Sequence, residues 1–434
     1  MNAEVNSLTH NTRRDFLKLG VLAGGGLVLG IGLSGCSKPA AIGAGGQPVA
    51  WLRIAGDNTI TVLVDKSEMG QGVYTALTQL LAEELGVALE AIRVEAAPVG
   101  AVYTNNLLGA QITGGSTSVR DGWEKLRKAG AQARSMLVQA AAAQWGVGAD
   151  TLKVDSGAVV NGRKRLTFGE LAEAAAKLPV PTEVTLKSAK EFTLVGKPAK
   201  RVDTASKLDG TAIYGIDVKL PGMLHGAFAQ CPTLGGTLAG FDAAQAKTMP
   251  GVKDVVGTDN GVVVIADHYW QAYKALGAVK IKWDAGANAS LDNDAIRARL
   301  RKAATRNGRS VRNDGNAAAA LKGAAKVVRA TYELPMLAHA TLEPQCCTAD
   351  VRADSADVYA PTQTQTIAQA TAAAVAGLKP EQVKIHTTLL GGGFGRRLGG
   401  SGLRRRAGAA ERRAAGRPAA GRNDGAEAGS GAAW

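Results

Sequence analysis

The hydrophobic pattern of residues 51–98 changes from strand-like to helix-like within a short distance. Apolar residues occupy alternate positions in residues 60–64, which predicts a strand. They then recur at every third or fourth position in residues 74–85, which predicts an amphipathic helix. Gln71 and Gly72 lie in a glycine turn between these two elements. We expect this turn to present the free N–H groups of the helix start to an anion.

A second strand, loop and helix of the same form follow in residues 92–147. The loop contains Gly115, Ser116, Thr117 and Ser118, which are candidates for helix capping or for phosphate binding. A tight turn that caps a helix is the simpler interpretation of either loop alone. Two loops of one form favour a phosphate-bearing ligand. Neither loop has the Gly-Lys-Ser/Thr of a P-loop or a dinucleotide GxGxxG pattern.

The rest of the chain predicts further mixed α/β units. Residues 178–203 are typical of a linker, and the strand-rich sequence that follows, to about residue 285, predicts a compact α+β unit. Residues 290–308 predict a polar helix. Residues 325–351 predict two strands on either side of a His/Glu loop. Residues 358–397 predict a strand, loop, helix and strand that end in another glycine loop.

The composition is that of a globular chain with an unusual end. The 434 residues allow two or three domains, and 46% of them are hydrophobic. The formal net charge is +14, but the basic residues are scattered between acidic ones and are not interleaved with aromatic residues. We therefore expect no nucleic-acid binding. From Leu398 onward, Ala, Gly and Arg make up 27 of 37 residues.

The first 36 residues predict an export signal. Arg13 and Arg14, followed by Asp-Phe-Leu-Lys, match the twin-arginine pattern, and an apolar run follows at residues 19–33. That run is shorter than the roughly 20 residues that span a bilayer, so a transmembrane anchor is the weaker interpretation. The run ends in Leu-Ser-Gly-Cys, which resembles a lipobox with Cys36 as the lipidated residue. An ordinary cleavage site beside a cysteine is the alternative. We expect a periplasmic protein, with a lipid anchor if Cys36 is modified.

The side chains with redox, metal-binding or catalytic chemistry are dispersed. No Cys-x-x-Cys pair, zinc-site spacing or Ser/His/Asp series is present, so no metal ligands and no electron-carrying centre are predicted. Glu343 is either a functional buried carboxylate or one that stabilises its own loop. Gln363 offers a neutral donor and acceptor, which suits an oxo ligand or a ring nitrogen. We expect the cysteines after the signal to be buried, and the four cysteines are Cys36, Cys231, Cys346 and Cys347.

Five segments together resemble the molybdenum-binding large subunit of the xanthine dehydrogenase/aldehyde oxidase family. In chain order they are PGMLHGAFAQCP, GVVVIADHYWQAYKALGAVKIKWD, AHATLEPQCCTADV, APTQTQ and LGGGFGRR. The chain is most similar to the isoquinoline 1-oxidoreductase beta-subunit type within this family. Its GGGFGRR loop has the form found in that type, and its SEMGQGVYTALTQLLAEELGV block precedes that loop, as in the permuted members.

The resemblance implies a cofactor site built from glycine loops. Gly392, Gly393, Phe394 and Gly395 are expected to bring their backbone close to molybdenum and its oxo ligand, with Arg396 nearby. Gln363 is expected to form a hydrogen bond with a metal-bound oxygen. The remaining residues implied to bind the pterin and its phosphate are Gln71, Gly72, Gly115, Ser116, Thr117 and Ser118.

The resemblance also implies the chemistry and the partners. Such enzymes oxidise an N-heterocyclic aromatic compound of the isoquinoline kind, or an aldehyde, with water as the source of oxygen. The expected cofactor is molybdenum bound to molybdopterin, in the cytosine dinucleotide form. A small [2Fe-2S] subunit and a cytochrome are expected to accept the electrons. An alternative function is a non-catalytic exported lipoprotein or cofactor-binding module that keeps the same fold.

The implied fold is the multidomain α+β or α/β architecture of molybdenum-hydroxylase large subunits, with an α/β hammerhead-like domain and an incomplete carboxyl-terminal part. Residues 1–36 form the signal, and residues 37–200 form a permuted α/β segment that contacts molybdopterin. The hammerhead-like domain is expected at residues 201–285, and part of the first molybdenum-cofactor-binding domain at residues 286–397. Residues 398–434 form a low-complexity tail.

The tail departs from the family. Family members carry a glutamate base in a Gly-x-Gly-Glu segment near their carboxyl terminus, and no such segment occurs here, so no catalytic residue is assigned. Ala, Gly, Arg and Pro are encoded by GC-rich codons. We therefore interpret the sequence from about Leu398 as an out-of-frame or truncated end, and we expect this form to be inactive. A natural disordered basic tail is the alternative.

Overall fold

The computed structural model describes residues 51–399 without Asn313, and the backbone of two further strands at residues 26–29 and 419–423. The predicted signal pattern and Cys36 lie outside the described residues, apart from the strand within the apolar run. In the part of the chain that the structure describes, no helix has the length and apolarity needed to cross a membrane.

The first unit packs two long helices against a four-stranded sheet. The strands lie in chain order, with β3 and β4 parallel and the other neighbours antiparallel. The first helix connects the parallel pair, as the sequence predicts. A Cβ atom at Gly130 would lie 2.4 Å from the carbonyl oxygen of Leu81, so glycine lets the helices approach closely. The elements are β1 (Gly26–Leu29), β2 (Leu52–Ala55), β3 (Ile60–Val64), α1 (Val73–Leu85), β4 (Ile92–Ala96) and α2 (Ser118–Trp145).

A small antiparallel sheet and a short helix complete this unit. Thr167 caps the helix by accepting a hydrogen bond from the Glu170 amide, and Glu170 bonds back to the Thr167 amide. The buried face of the helix joins the same hydrophobic core as α1 and α2. The elements are β5 (Lys153–Asp155), β6 (Ala158–Asn161), β7 (Lys164–Thr167) and α3 (Phe168–Ala176).

The predicted linker is irregular and is held in place by two buried carboxylates of α1. Glu83 accepts hydrogen bonds at 2.6–3.0 Å from the backbone amides of residues 193–195. Glu84 pairs with Arg127 at 2.7 Å and accepts the Lys187 amide at 3.2 Å. Carboxylates can be buried in this way because backbone and side-chain donors replace their water. The linker ends in α4 (Thr204–Leu208).

The predicted α+β unit follows the linker. Strands β10, β11 and β8 form an antiparallel sheet edge, and β9 pairs with β12 in a separate ribbon. Continuous apolar residues in β11 are buried from end to end, so this strand forms the centre of the local core. The elements are β8 (Leu224–Gln230), β9 (Thr237–Asp242), α5 (Ala244–Lys247), β10 (Val252–Thr258), β11 (Gly261–Ala266), α6 (Tyr269–Leu276) and β12 (Lys280–Asp284).

The last described part contains a second parallel strand–helix–strand unit. Helix α9 connects β14 to β15, which pair in parallel, and β13 pairs antiparallel with β14. Helix α7 confirms the predicted polar helix. The elements are α7 (Asn293–Ala304), α8 (Ala317–Gly323), β13 (Gln345–Val351), β14 (Ala356–Ala360), α9 (Gln365–Ala376) and β15 (Val383–Thr387).

One sheet joins the two later units through a strand from the tail. Strand β16 (Ala419–Asn423) lies between β8 and β13, parallel to the former and antiparallel to the latter. Strand pairing uses backbone groups, so a sequence of Ala, Gly and Arg can take this place. The resulting seven-stranded order is β10-β11-β8-β16-β13-β14-β15. The other tail residues after Gly399 lie outside the described residues.

One predicted strand is wrong. Residues 324–341 have an irregular backbone, although their apolar residues alternate as in a strand. The side chains of Tyr332 and Leu334 are 87% and 90% exposed. No neighbouring strand among the described residues supplies hydrogen bonds to this segment, and alternation without a pairing partner does not form a sheet. Only the second strand of the predicted pair, β13, forms.

Candidate functional site

Loops from distant parts of the chain meet at one place. Thr113 donates its backbone N–H to the carbonyl oxygen of Gln363 at 2.8 Å, and Leu390 donates to the carbonyl oxygen of Glu68 at 3.0 Å. These contacts join the first unit to the last one. The segments that meet are residues 65–72, residues 111–118, residues 361–365 and residues 388–398.

The position of these loops follows from the strand order. Residues 65–72 follow β3, residues 361–364 follow β14, and residues 388–398 follow β15. Each of these strands belongs to a parallel pair connected by a helix. In such units the loops at the carboxyl ends of the strands form the binding crevice. The two strand–helix–strand units therefore turn these ends toward each other.

Gln363 lies in the middle of the junction and is 3% exposed. Its Oε1 accepts hydrogen bonds from the amides of Gly395 at 3.2 Å and Arg397 at 3.3 Å. Its Nε2 donates to the carbonyl oxygen of Thr113 at 3.0 Å. A side-chain amide has two N–H donors, and the second has no acceptor among the residues that the structure describes, so a ligand could accept from it. The structure thus brings Gln363 against the glycine loop, and its bond to a cofactor stays a prediction.

The glycine loop after β15 needs its glycines. Gly392 has φ 101° and Gly395 has φ 88°, in the left-handed region that favours glycine. A Cβ atom at Gly393 would lie 2.3 Å from the Sδ atom of Met69 and 3.0 Å from Oε1 of Gln363. Phe394 has φ 52°, and its side chain is 69% exposed. The loop therefore combines close backbone packing on one side with an exposed aromatic ring.

A buried ion pair stabilises this loop by hydrogen bonds to its backbone. Arg397 donates from Nη2 to the Glu343 carboxylate at 3.0 Å and from Nε to the carbonyl oxygen of Gly392 at 2.8 Å. The Glu343 carboxylate also accepts the amides of Gly391 at 2.9 Å and Ile216 at 3.2 Å. Of the two roles that the sequence leaves open for Glu343, the structure supports loop stabilisation. Arg397 was not predicted from the sequence, because only Arg396 of the Arg-Arg pair was expected near the cofactor.

The start of α1 differs from its prediction. The Glu68 carboxylate accepts hydrogen bonds from the amides of Gly70 at 2.9 Å, Gly72 at 3.0 Å and Tyr74 at 3.0 Å. Arg201 also bonds to Glu68 at 3.0 Å. The predicted free amides are thus occupied by an internal carboxylate, which satisfies the positive end of the helix as an external anion would. Glu68 precedes the turn by only two residues, so Asp or Glu before a glycine turn was an available signal.

Gln71 closes its own turn. Its Oε1 accepts the Met69 amide at 2.7 Å, and its Nε2 donates to the carbonyl oxygen of Ser67 at 2.9 Å. The side chain is nevertheless exposed at the junction of the loops. Binding of the cofactor by Gln71 and Gly72 stays a prediction, and for Gly72 it cannot use the amide that Glu68 occupies.

The start of α2 is exposed and, among the described residues, is not capped by a carboxylate as the start of α1 is. Gly115 and Ser116 are exposed, and Ser116 has φ 54°. Thr117 is buried, and its hydroxyl donates to the carbonyl oxygen of Gly114 at 2.8 Å. Among the described residues, no carboxylate accepts a hydrogen bond from the amides of Gly115, Ser116 or Ser118. A helix of 28 residues starts here, so this end is suited to bind an anion.

A cavity of about 410 Å³ opens beside the glycine loop. Its walls come from the turn at Met69 and Gly70, from the segment between Arg201 and Tyr214, and from Leu390 with the two glycines after it. Residues 201–214 were expected to begin the hammerhead-like domain, and no binding role was predicted for them. Their segment has no motif, and its place at the cavity depends on contacts with residues more than 100 positions away.

The charges at this cavity are tightly paired. Arg201 bonds to Asp203 through Nε at 2.9 Å and through Nη2 at 2.8 Å, and Lys207 pairs with the same carboxylate. The hydrogen bond from Arg201, followed by those from Lys207, outweighs burial and lowers the pKa of Asp203 to about 2. Asp203 is therefore a carboxylate at neutral pH. Within the described residues, no group of three or more His, Cys, Asp or Glu side chains is placed to bind a metal ion.

Comparisons with known proteins agree on one family. Two sequence families, each described as "Molybdopterin cofactor-binding domain", match residues 17–218 and residues 301–428. The chain is 31% identical to the beta subunit of isoquinoline 1-oxidoreductase from Brevundimonas diminuta, over 81% of this chain and 51% of that protein. It is 32% identical to a membrane-bound aldehyde dehydrogenase [pyrroloquinoline-quinone] of Gluconacetobacter polyoxogenes, over 82% of this chain and 47% of that protein.

Further matches have lower identity. A nicotinate dehydrogenase subunit of Pseudomonas putida is 28% identical over 80% of this chain and 30% of that protein. The solved quinoline 2-oxidoreductase of Pseudomonas putida gives a TM-score of 0.38 at 19% identity, over 53% of this chain and 34% of that one. The aldehyde oxidoreductase of Desulfovibrio gigas gives 0.40 at 18% identity, over 59% and 33%.

The chain spans about half the length, or less, of these curated relatives. Both matches to molybdopterin-binding domains include loops of the junction described above, with Gln71 and Ser116 in one match and Gln363 in the other. This confirms the resemblance found in the sequence. The chain therefore belongs to the family of molybdopterin-binding large subunits of molybdenum hydroxylases.

Proposed function

We propose that this chain is the cofactor-binding subunit of an exported molybdenum hydroxylase that oxidises an N-heterocyclic aromatic compound or an aldehyde, with water as the source of oxygen. The observation that carries the proposal is the junction of glycine loops around Gln363. The names of the curated relatives support the substrate classes, because those proteins are named for isoquinoline, an aldehyde and nicotinate.

The residues at the junction fit a molybdopterin cofactor. A phosphate fits the open start of α2 at Gly115 and Ser116, where exposed amides and hydroxyls are available. An oxygen ligand fits the second N–H of Gln363, since among the described residues only the first has an acceptor, the carbonyl oxygen of Thr113. At Gly393 a Cβ atom would meet Met69 and Gln363, so glycine lets the loop backbone pack directly against the Gln363 side chain. The form of the cofactor that we propose is the cytosine dinucleotide.

The cofactor, when bound, supplies the metal centre that transfers the oxygen and takes up two electrons. The chain's own residues position it. Glu343 and Arg397 keep the glycine loop in its left-handed conformation, and the Glu68 carboxylate makes the start of α1 rigid. Phe394 exposes an apolar ring beside these groups. We assign no catalytic base among the described residues.

We propose that other subunits accept the electrons. Cys231, Cys346 and Cys347 are buried, as the sequence predicts. Within the described residues, no group of three or more Cys, His, Asp or Glu side chains is placed to hold a metal ion. Two of the curated relatives are named as subunits, which supports a multisubunit enzyme. A small [2Fe-2S] subunit and a cytochrome have the required redox chemistry.

Export remains a proposal that rests on the sequence. Arg13, Arg14 and the apolar run after them support twin-arginine transport to the periplasm, and Cys36 supports a lipid anchor. Cell fractionation of the wild type, of Arg13→Lys/Arg14→Lys and of Cys36→Ser tests both parts. We expect the double variant to stay in the cytoplasm and Cys36→Ser to lose labelling by a radioactive fatty acid. Periplasmic protein in the double variant would contradict the export proposal.

The function is tested by purifying the full chain from a host that makes the cofactor. Molybdenum content is measured first, and dye-coupled oxidation of isoquinoline, quinoline and benzaldehyde second, with and without a coexpressed [2Fe-2S] subunit. Molybdenum with turnover supports the hydroxylase. Because we expect the chain in its present form to be inactive, molybdenum without turnover is followed by the same assay on the chain translated from the corrected reading frame. Turnover of that chain supports the hydroxylase, and its absence supports the alternative of a cofactor-binding module. Absence of molybdenum in correctly folded protein contradicts both.

A further inference from the structure

We propose that the cavity beside the glycine loop binds the carboxylate of a small aromatic ligand. This ligand is the substrate if the proposed function holds, and the inference rests on that function for this identification only. The cavity of about 410 Å³ has the size of a site for one small ring system. Its lining includes two cationic side chains, called the cationic side, and several apolar ones, called the apolar side.

The cationic side presents Arg201 and Lys207, with their counter-charges behind them. The Arg201 side chain is 35% exposed and that of Lys207 is 23% exposed, whereas the Asp203 side chain is 8% exposed. The Glu68 side chain is fully buried. A ligand in the cavity therefore meets the two cations first, and meets the carboxylates only beyond them.

The hydrogen-bonding capacity on this side is mostly that of donors. Glu68 already accepts three backbone amides and Arg201, and Asp203 accepts both Arg201 and Lys207. An ammonium group has three N–H donors, and the structure pairs that of Lys207 with Asp203. Thr204 also lines the cavity. Arg201 donates to the carbonyl oxygen of Gly70 at 2.7 Å as well as to the two carboxylates, so the ammonium of Lys207 is the main group on this side whose N–H donors suit the oxygens of a negatively charged ligand.

The apolar side suits an aromatic ring. Met69, Leu208, Leu390 and the ring of Tyr214 line it, and Leu208 is 82% exposed in the free protein. Burial of such a side chain by a ligand is favourable, since apolar area leaves water. The two glycines that follow Leu390 also line the cavity, so a bound ring lies beside the loop that we propose to contact the cofactor.

A carboxylate is favoured over the phosphate of the cofactor for one structural reason. The open start of α2 at Gly115 and Ser116 already offers a phosphate site, and neither residue lines the cavity. The cavity is therefore available for a second, separate anion, which would meet Lys207 with the partly exposed Arg201 beside it.

The test is titration of the full chain by calorimetry with benzoate and with benzamide, which has the same ring without the charge. We expect benzoate to bind at least about tenfold more tightly, in keeping with hydrogen bonds between charged groups. Lys207→Met is expected to weaken benzoate binding about tenfold, and Lys207→Arg to retain most of it. The matched control is Lys253→Met, since Lys253 also pairs with an aspartate, Asp267, at 2.8 Å but lies away from the cavity.

Several results would overturn the inference. Equal binding of benzoate and benzamide, or an unchanged affinity in a Lys207→Met protein whose thermal midpoint matches the wild type, shows that no carboxylate is recognised. If inorganic phosphate displaces benzoate and binds the cavity with a lower dissociation constant than benzoate does, the cavity is assigned to the cofactor instead. Molybdenum content in the same samples separates the two proposals. Selective binding of benzoate by protein without molybdenum supports this inference and contradicts the proposed function. Protein that contains molybdenum but does not bind benzoate selectively supports the proposed function and contradicts this inference.

Discussion

Gln363 and Thr113 are joined by two hydrogen bonds across 250 positions of sequence. Thr113 donates its amide N–H to the carbonyl oxygen of Gln363 at 2.8 Å, and the Gln363 side chain donates to the carbonyl oxygen of Thr113 at 3.0 Å. Through this contact the loop before α2 and the glycine loop after β15 become parts of one site. Disturbance of either loop is therefore expected to affect both the fold and the binding of a cofactor.

The first prediction concerns Gly391→Ala. A Cβ atom at this position would lie 2.3 Å from the Cβ of Glu343 and 3.1 Å from its backbone nitrogen, and neither atom can move easily. We expect a loss of unfolding free energy of about 1–3 kcal/mol, as for other overpacked sites, and a lower molybdenum content. Chemical denaturation measures the first effect. Gly240→Ala is the control, since nothing lies within 4 Å of its added Cβ.

The second prediction concerns Arg397→Met. The variant leaves the Glu343 carboxylate buried without its cation, which we expect to cost about 3–5 kcal/mol of unfolding free energy. Addition of Glu343→Gln to this variant is expected to recover part of the loss, because the unpaired charge is removed. Lys177→Met, which breaks an exposed pair with Glu173, is expected to cost much less, because water screens the charges of an exposed pair. An equal loss of unfolding free energy in Arg397→Met and Lys177→Met would contradict the proposed stabilisation of the loop by Arg397.

The third prediction concerns acid stability. Although burial opposes it, hydrogen bonds from Lys187 and from linker amides lower the pKa of Glu83 to about 2, from an ordinary value of 4.5. Because the folded-state pKa is lowered, this stabilisation is present above about pH 4.5 and is lost as the pH falls toward 2. We expect the thermal midpoint of the wild type to fall over that range. Glu83→Gln should be less stable than the wild type at pH 7, and the difference should shrink at pH 2.

The fourth prediction concerns the tail. The out-of-frame interpretation of residues 398–434 stays a prediction. Two findings favour the alternative of a natural tail: a family match extends to residue 428, and strand β16 lies within the sheet. Sequencing of the coding DNA across codons 390–434, with translation in three frames, tests it. We expect another frame to continue with helix and strand periodicity and to reach a Gly-x-Gly-Glu segment. Absence of such a frame would support a natural basic tail.

Local patterns in the sequence predicted much of the fold. Alternation in residues 60–64 and helical spacing in residues 74–85 correspond to β3 and α1, since each pattern reflects one buried face of one element. The same reasoning failed for residues 326–334, where alternation is present but no described strand pairs with the segment. Local spacing indicates which residues are apolar on one side, but it does not supply a partner.

The site was predictable only in part. The glycine loops were visible as motifs, and the family resemblance placed Gln363 beside one of them. Three features of the site were not predicted. Glu68 accepts the amides at the start of α1, Arg397 stabilises the glycine loop, and Lys207 lines the cavity. Each depends on hydrogen bonds or packing between residues that are distant in sequence or that carry no motif. Such contacts become apparent only once the strands have been ordered.

The most direct test of the account is the molybdenum and organic phosphate content of the purified full chain, compared with that of Gln363→Ala and of Gln139→Ala, which replaces an exposed glutamine of α2 as a control. We expect close to one molybdenum per wild-type and control chain, with phosphate in the same samples. Gln363→Ala, which loses the bridge to Thr113 and the free N–H, is expected to retain much less of both. Folded wild-type protein without molybdenum or phosphate would contradict the account.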